Sequence, residues 1–261
     1  MTEVKFEGET GRLHRALAQC HDMVVRRSAV FESLNLSTGE KVLDVGCGGG
    51  FYTYEAAQFV GSTGQVCAID ISEDQIGAAR QKCTDFPWVE CRAADVLDLP
   101  YEDSAFDAIY GVQVLEFVAN ADDGLKELLR VLKPGGRLVI LSTNWNSLVW
   151  FSTQPERMKK MLTAFDQHAP YPDFPAELPS KLRKIGMKAV IQKPLSILNM
   201  SYNENSYSYW IAKGIKQFVL GRELVDVAEV EDWFEEFEKL EREGAFFFCS
   251  TSVITEVLKT S

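Results

Sequence analysis

Val42-Leu-Asp-Val-Gly-Cys-Gly-Gly-Gly50 is the stretch on which the reading of this 261-residue chain turns. It starts as an apolar strand, 41–45, runs straight into five residues of which four are glycine, and is followed by a helical segment, 51–60. A strand that ends in glycines before a helix lets backbone N–H groups and the positive helix N-terminus approach a ligand closely. A glycine-rich turn alone fits a dinucleotide, NAD or FAD, or a plain structural turn. Asp44 narrows the choice, because a carboxylate at the strand tip repels a pyrophosphate and attracts an ammonium group. Asp70 narrows it again. It ends the next strand, 65–70, at about the interval of a ribose-binding acid in a βαβ nucleotide unit.

Outward from this stretch the same alternation continues. The pattern predicts a helix over 72–83, with Ser72 ahead of Glu73 and Asp74 as an N-terminus prefers. Strands follow over 88–93 and 106–112, then a helix over 122–132 ended by Lys133-Pro-Gly-Gly136, and a strand over 137–143. Strands alternating with helices of this length imply βαβ units, a parallel sheet and right-handed crossovers. Before the core, Leu13, Leu17, Val24, Val30, Phe31 and Leu34 recur at helical spacing and predict one amphipathic helix over 10–34. After it, 145–168 reads as helical, and the three prolines of 169–175 exclude regular structure there. A short helix at 179–185, a strand at 187–198, helices at 206–220 and 226–243, and a terminal strand at 245–257 complete the pattern.

Composition excludes some functions. The 38 acidic residues outnumber the 27 basic ones, giving a formal charge of −11, and no basic stripe is present. Nucleic-acid binders cluster Lys and Arg to displace counterions from phosphates, so a nucleic-acid or anionic-membrane partner is not expected. The six cysteines contain no CxxC pair and the three histidines (14, 21 and 168) are scattered, so no metal site is legible. The first twelve residues lack the apolar run of a signal peptide, and no apolar run has membrane-spanning length. A reduced, cytoplasmic setting is the expectation.

Several segments together resemble the class I S-adenosylmethionine-dependent methyltransferases, closest to the ubiquinone/menaquinone C-methyltransferase-like group. They are VLDVGCGGG at 42–50, AIDIS at 68–72, AADVLDLPYEDSAFDAIY at 93–110 and ELLRVLKPGGRLVI at 127–140. The resemblance covers about the first 145 residues. It implies an α/β fold with a Rossmann-like, seven-stranded, mostly parallel sheet and helical lid insertions, as one methyltransferase domain over 1–261. Residues 1–145 would hold the N-terminal helix and cofactor core, and 146–261 the lid insertions and last strands. It also implies S-adenosyl-L-methionine as cofactor. Gly46, Cys47 and Gly48 would lie against its methionine and ribose parts, and Asp44 would serve its amino group. Asp70 would accept both ribose hydroxyls, with Ile71 on the adenine face, Asp95 at the adenine N6 and Val96 beside the ring. Gly111 and Gln113 would serve the methionine end.

The acceptor side is less explicit. A sulfonium methyl already carries its activation, so proteins of this kind mainly align the reactants and exclude water, and only some acceptors need a base. His168, between a helix and a proline-rich loop, is the candidate base, set against a reading as a surface histidine. His21 carries the same two readings. Glu116-Phe117 stands where many relatives have Glu-His, which removes one possible base. The aromatics at 145, 150, 151, 171 and 174 and at 202, 207, 209 and 210 either line an apolar acceptor pocket, hold a cationic amine, or fill a core of their own. Arg26-Arg27 reads by default as helix surface. A small-molecule acceptor fits these features better than an RNA or protein substrate or a non-catalytic cofactor-binding scaffold.

Overall fold

A computed structural model of the chain describes residues 6–187 and 190–260. Seven strands form one sheet in the order β3-β2-β1-β4-β5-β7-β6. They are β1 (Lys41–Val45), β2 (Gln65–Asp70), β3 (Val89–Ala93), β4 (Phe106–Val112), β5 (Leu132–Trp150), β6 (Val190–Asn199) and β7 (Phe248–Leu258). The first five pair in parallel, while β7 runs antiparallel to both β5 and β6. The α-helices are α1 (Gly8–Leu17), α2 (His21–Leu34), α3 (Phe51–Val60), α4 (Glu73–Lys82), α5 (Ala121–Val131), α6 (Pro155–Phe165), α7 (Phe174–Lys184), α8 (Tyr207–Gly221) and α9 (Val227–Arg242).

The strand period of two divides the core between the two faces of the sheet. Val42, Val66, Ala108 and Val139 meet Val30, Leu34, Ala57 and Val60 on one face. Leu43, Cys67, Ile109 and Leu138 meet Leu125, Leu128, Leu178 and Leu182 on the other. Burying each of the larger aliphatic side chains contributes about 1.5–3 kcal/mol. A third cluster lies beyond the sheet, where Trp150, Trp233, Phe237, Phe246 and Phe248 pack with α6, α8 and α9. The helices after β5 therefore carry an aromatic core of their own. Strand order reverses between β1 and β4, and their C-terminal ends open the crevice in which α/β sheets bind ligands.

Besides 133–136, which belong to β5 rather than to a break before it, three segments differ from the sequence expectation. The helix expected over 10–34 is two helices, broken at 18–20, where Gln19 and Cys20 donate to carbonyls only three residues back. No glycine or proline marks this break. Residues 145–150 belong to β5 rather than to a helix, with Val149 opposite Cys249 and Trp150 opposite Phe248. The proline-rich segment also ends in a helix, because Pro175 falls in the first turn of α7, where its missing N–H costs nothing. Residues 188 and 189 of the strand expected over 187–198 lie outside the described residues.

Candidate active site

The crevice at the ends of β1, β2 and β4 holds a cavity of about 240 Å³. Its floor is the turn after β1. Gly46 and Gly48 have φ of 67° and 52°, the left-handed region that glycine adopts freely. A Cβ on Gly46 would sit 2.3 Å from Val114 Cγ2, so the close approach of turn to wall requires glycine. Asp70 holds the turn in place: its Oδ2 accepts from the Gly48 N–H and its Oδ1 from the Ser72 N–H, both at 2.9 Å. Burial pushes the Asp70 carboxyl above its ordinary range, and these two N–H groups pull the other way. Ile71 lines the same cavity and is 70% exposed, an aliphatic side chain held out as a wall rather than tucked into the core. Val96 is buried opposite, and Asp95, also on the wall, accepts from the Leu97 N–H at 2.9 Å.

A much smaller cavity of about 40 Å³ continues behind the turn, between Asp44, Cys47, Arg26 and Tyr52. Asp44 is almost fully buried and accepts from Thr53 Oγ1 at 2.6 Å, and burial raises its pKa to about 7. Arg26, expected on a helix surface, is 6% exposed. Its Nη1 donates to Gln113 Oε1 at 2.7 Å, and its buried Nε has no partner. Arg27, also expected on the surface, is buried and pairs with Glu55 at 2.6 Å. The helix that carries both arginines packs onto β5, so its polar face meets the crevice instead of water. One cavity thus holds a buried carboxylate and a buried guanidinium, the complement of an amino-acid zwitterion.

A third cavity of about 390 Å³ opens toward α8. Leu17, Trp145, Phe165, Trp210, Ile211 and Phe218 give it apolar walls. His168 forms part of them and is buried, not at the surface. Its ring stacks on Phe165 at 3.8 Å and meets the edge of Trp145 at 4.4 Å. The Nδ1–H donates to the Phe165 carbonyl at 2.7 Å, which leaves Nε2 as an acceptor without a partner. Burial lowers the His168 pKa to about 4, so the ring is neutral.

Phe6, His14, Gln113 and Phe117 line both this cavity and the crevice at the strand ends, and mark the boundary between them. Gln113 has φ of 55°, a strained conformation for a residue other than glycine, directly after β4. Its Nε2 donates to Thr143 Oγ1 at 2.9 Å, so both ends of its amide are held. The turn backbone faces His14 across the cleft, since a Cβ on Gly48 would come within 3.4 Å of the imidazole Cε1. Burial first, then Arg26 and Arg15, lowers the His14 pKa to about 4. The sequence alone assigns His14 no role, although Thr10, Leu13, His14 and Leu17 share one helical face that turns out to line the larger cavity. Two other candidates lie apart. His21 is exposed at the start of α2 and lines none of these cavities. Gly111 is inside β4 opposite Val45 and does not line them either. Glu116 is fully buried, accepts from Ser142 Oγ at 3.1 Å, and has its pKa raised to about 7 by burial.

The aromatics after β5 divide between two of these readings. Trp150 stacks on Phe237 at 5.8 Å inside the cluster packed with α6, α8 and α9, and Tyr202 packs there too. Trp145, Tyr207 and Trp210 line the cavity instead. Among the described residues no helix is long and apolar enough to cross a membrane.

Residues 43–140 match the family model described as a methyltransferase domain. Over 127 residues the chain is 36% identical to the demethylmenaquinone methyltransferase of Staphylococcus epidermidis, covering 49% of this chain and 53% of that protein. Over 122 residues it is 38% identical to an uncharacterized 37.1 kDa protein in a transposon of Streptomyces fradiae, covering 47% of this chain and 35% of that protein. The chain therefore spans about half the length, or less, of the curated relatives it matches. Among solved structures the YcgJ protein of Bacillus has a TM-score of 0.63 at 16% identity, over 95% of this chain and 99% of that one. A SAM-dependent methyltransferase of Aquifex aeolicus has a TM-score of 0.55 at 18% identity, over 95% of this chain and 99% of that one. The seven-stranded sheet is the Rossmann-like fold of these proteins.

Proposed function

We infer that this chain, whose residues 43–140 belong to the methyltransferase domain family, transfers a methyl group from S-adenosylmethionine to a small, largely apolar molecule. The observation that carries the reading is the boundary shared by the crevice of about 240 Å³ and the cavity of about 390 Å³. A nucleoside-sized crevice and an apolar cavity meet at Phe6, His14, Gln113 and Phe117, where donor and acceptor must come together. The whole of 1–261 then works as one domain, with 146–261 supplying walls to the acceptor cavity.

The residues present fit the cofactor. Asp70 keeps carboxylate lone pairs beyond its two N–H bonds and would accept the ribose hydroxyls. Ile71 and Val96 offer apolar walls to adenine, and Asp95 an acceptor for its amino group. The glycine turn, including Cys47, leaves room for the thioether end. Asp44 would face the ammonium and Arg26 the carboxylate of the amino-acid part, a buried charge pair for each end of the zwitterion. Bound there, the cofactor supplies a methyl group already activated on a sulfonium. What the protein adds is alignment and dryness: α1 covers the junction, and the aromatic walls keep water from the acceptor.

The net acidic charge and the apolar, concave cavity favour a small acceptor over RNA or protein. Incubation with labelled S-adenosylmethionine and a metabolite library, read by mass spectrometry, tests the reading. A methylated small molecule is expected. Binding of S-adenosylhomocysteine without any methylated product would leave a cofactor-binding scaffold instead.

A further inference from the structure

We propose that His14 is the proton acceptor of the transfer, and that the molecule methylated is an alcohol or phenol with an apolar body. Its hydroxyl gives up the proton to the imidazole as the oxygen takes the methyl group. The inference rests on the reading of the junction as the place of methyl transfer and deepens it.

The junction leaves few groups to choose from. Of the four residues shared by crevice and cavity, Phe6 and Phe117 carry no lone pair, and Gln113 has both ends of its amide engaged by Arg26 and Thr143. None of the described residues lining the cavity of about 390 Å³ is acidic. The other histidine in its wall, His168, has Nδ1 bound to the Phe165 carbonyl and Nε2 enclosed. Asp70 and Asp95 line the crevice but not this cavity, and both accept backbone N–H groups there. His14 is what remains.

Its setting suits the task. The residue is half-buried, and among the described residues neither ring nitrogen is hydrogen-bonded. A neutral imidazole carries a lone pair on one nitrogen in either tautomer. The Cε1–Nδ1 edge faces the glycine turn, 3.4 and 3.6 Å from where a Cβ of Gly48 would stand. Phe6 meets the ring edge-on at 5.3 Å. Helix α1 is tied down beside it: Arg15 pairs with Asp74 at 2.9 Å, and Gln75 Nε2 donates to the Phe6 carbonyl at 2.9 Å. Burial first, then Arg26 and Arg15, keeps the ring unprotonated at neutral pH.

The step balances without a further reactant. The acceptor oxygen bonds to the methyl carbon, the carbon–sulfur bond breaks with its electron pair left on sulfur, and the O–H proton passes to a ring nitrogen of His14. The positive charge lost at sulfur reappears on the imidazole, so a junction closed to water keeps its net charge. The oxygen becomes strongly acidic as it takes the methyl group, so a weak base suffices. A neutral amine attacks with its own lone pair and makes no such demand. An ammonium would lose water in a cavity whose described walls offer no carboxylate.

The test uses the full chain with 1-naphthol and 1-naphthalenethiol, the second ionising near neutral pH without help from a base. With S-adenosylmethionine, His14→Gln should raise the ratio of kcat/KM for the thiol to that for 1-naphthol by about a hundredfold or more, the smaller end of what a positioned base contributes. A role in shape alone would lower both rates and leave the ratio where it was, which would overturn the proposal. Nitrogen NMR of the wild type loaded with S-adenosylhomocysteine tests the contact without turnover, whether or not the variant folds. There 1-naphthol should move a ring-nitrogen resonance of His14, and 1-methoxynaphthalene, which lacks the donor hydrogen, should not. Equal shifts from the two bound probes, or a wild type that binds 1-naphthol and never methylates it, would remove His14 from the role and leave the cavity as an acceptor site. If neither naphthalene probe binds although S-adenosylhomocysteine does, the cavity is not the acceptor site and both readings fall together.

Discussion

Arg26 Nη1 lies 2.7 Å from Gln113 Oε1, tying α2 to the strained residue at the exit of β4. The two side chains come from positions 87 apart in sequence. Gln113 holds its unfavourable φ because Arg26 and Thr143 fix both ends of its amide. Arg26 in turn is held in the wall of the small cavity beside Asp44. The pair thus places a guanidinium at the amino-acid end of the proposed cofactor site.

Arg26→Met should therefore weaken S-adenosylhomocysteine by about 2 kcal/mol, roughly thirtyfold, since a charge-assisted bond in a buried site is lost. Methylthioadenosine, which lacks the amino-acid part, should bind the variant as it binds the wild type. Equal loss for both ligands in calorimetry would mean that Arg26 supports the fold rather than the carboxylate. Arg26→Lys should not restore affinity, because an ammonium cannot serve Gln113 and a carboxylate in the same fork geometry.

Asp70→Asn separates ligand binding from loop support. Asparagine can still accept one of the two backbone N–H bonds, but its amide end must turn a donor toward the other. Cofactor affinity should fall by about 1–3 kcal/mol and thermal stability by about 1 kcal/mol. Unchanged calorimetric affinity in the folded variant would remove Asp70 from the ribose site.

Gly214 offers a test of the acceptor cavity that spares the cofactor site. It lines the cavity from the middle of α8, and a Cβ there meets nothing within 4 Å. Gly214→Phe should fill the space and abolish methyl transfer with the affinity for S-adenosylhomocysteine unchanged. The helix itself should gain a few tenths of a kcal/mol, because phenylalanine has the higher helix propensity. Full activity in this variant would show that the acceptor enters elsewhere.

Much of the cofactor half was legible because its signals are local. Elements β1, α3, β2 and β4 match their expected bounds, since Gly46–Gly50 and Gly61–Gly64 punctuate the chain at the ends of apolar runs. What failed depended on distant partners. Residues 145–150 have a helix-compatible pattern, and only pairing with 248–249, a hundred residues later, makes them strand. The break at 18–20 carries no helix breaker and follows from the packing of α1 on α8 and α4. His14 and Arg26 were illegible for the same reason: a helix face reads as surface until the fold shows what covers it. The same applies to His168, which a local reading leaves at a helix end and the aromatic cluster encloses.

Stability against pH gives the last expectation, and its signs oppose each other. His168 titrates at about 4 in the folded chain against 6.5 when unfolded. Between those values the unfolded chain binds the extra proton, so stability falls as pH drops through that window. Asp44 titrates at about 7 folded against 3.8 unfolded. Here the folded chain binds the extra proton, so stability rises as pH drops through 7 toward 4. Each contributes about 2 kcal/mol between pH 7 and pH 5, with opposite sign, because one proton held by only one of the two states is worth about 1.4 kcal/mol for every tenfold change in proton concentration. His14 follows His168 and Glu116 follows Asp44, so the wild type should show little net change over this range. The single variants unmask the opposing contributions. Urea unfolding of Asp44→Asn should lose about 2 kcal/mol more than the wild type on going from pH 7 to pH 5, and His168→Phe should gain about as much relative to it. Parallel pH profiles for the wild type and both variants would mean that neither group is held in its buried, neutral form.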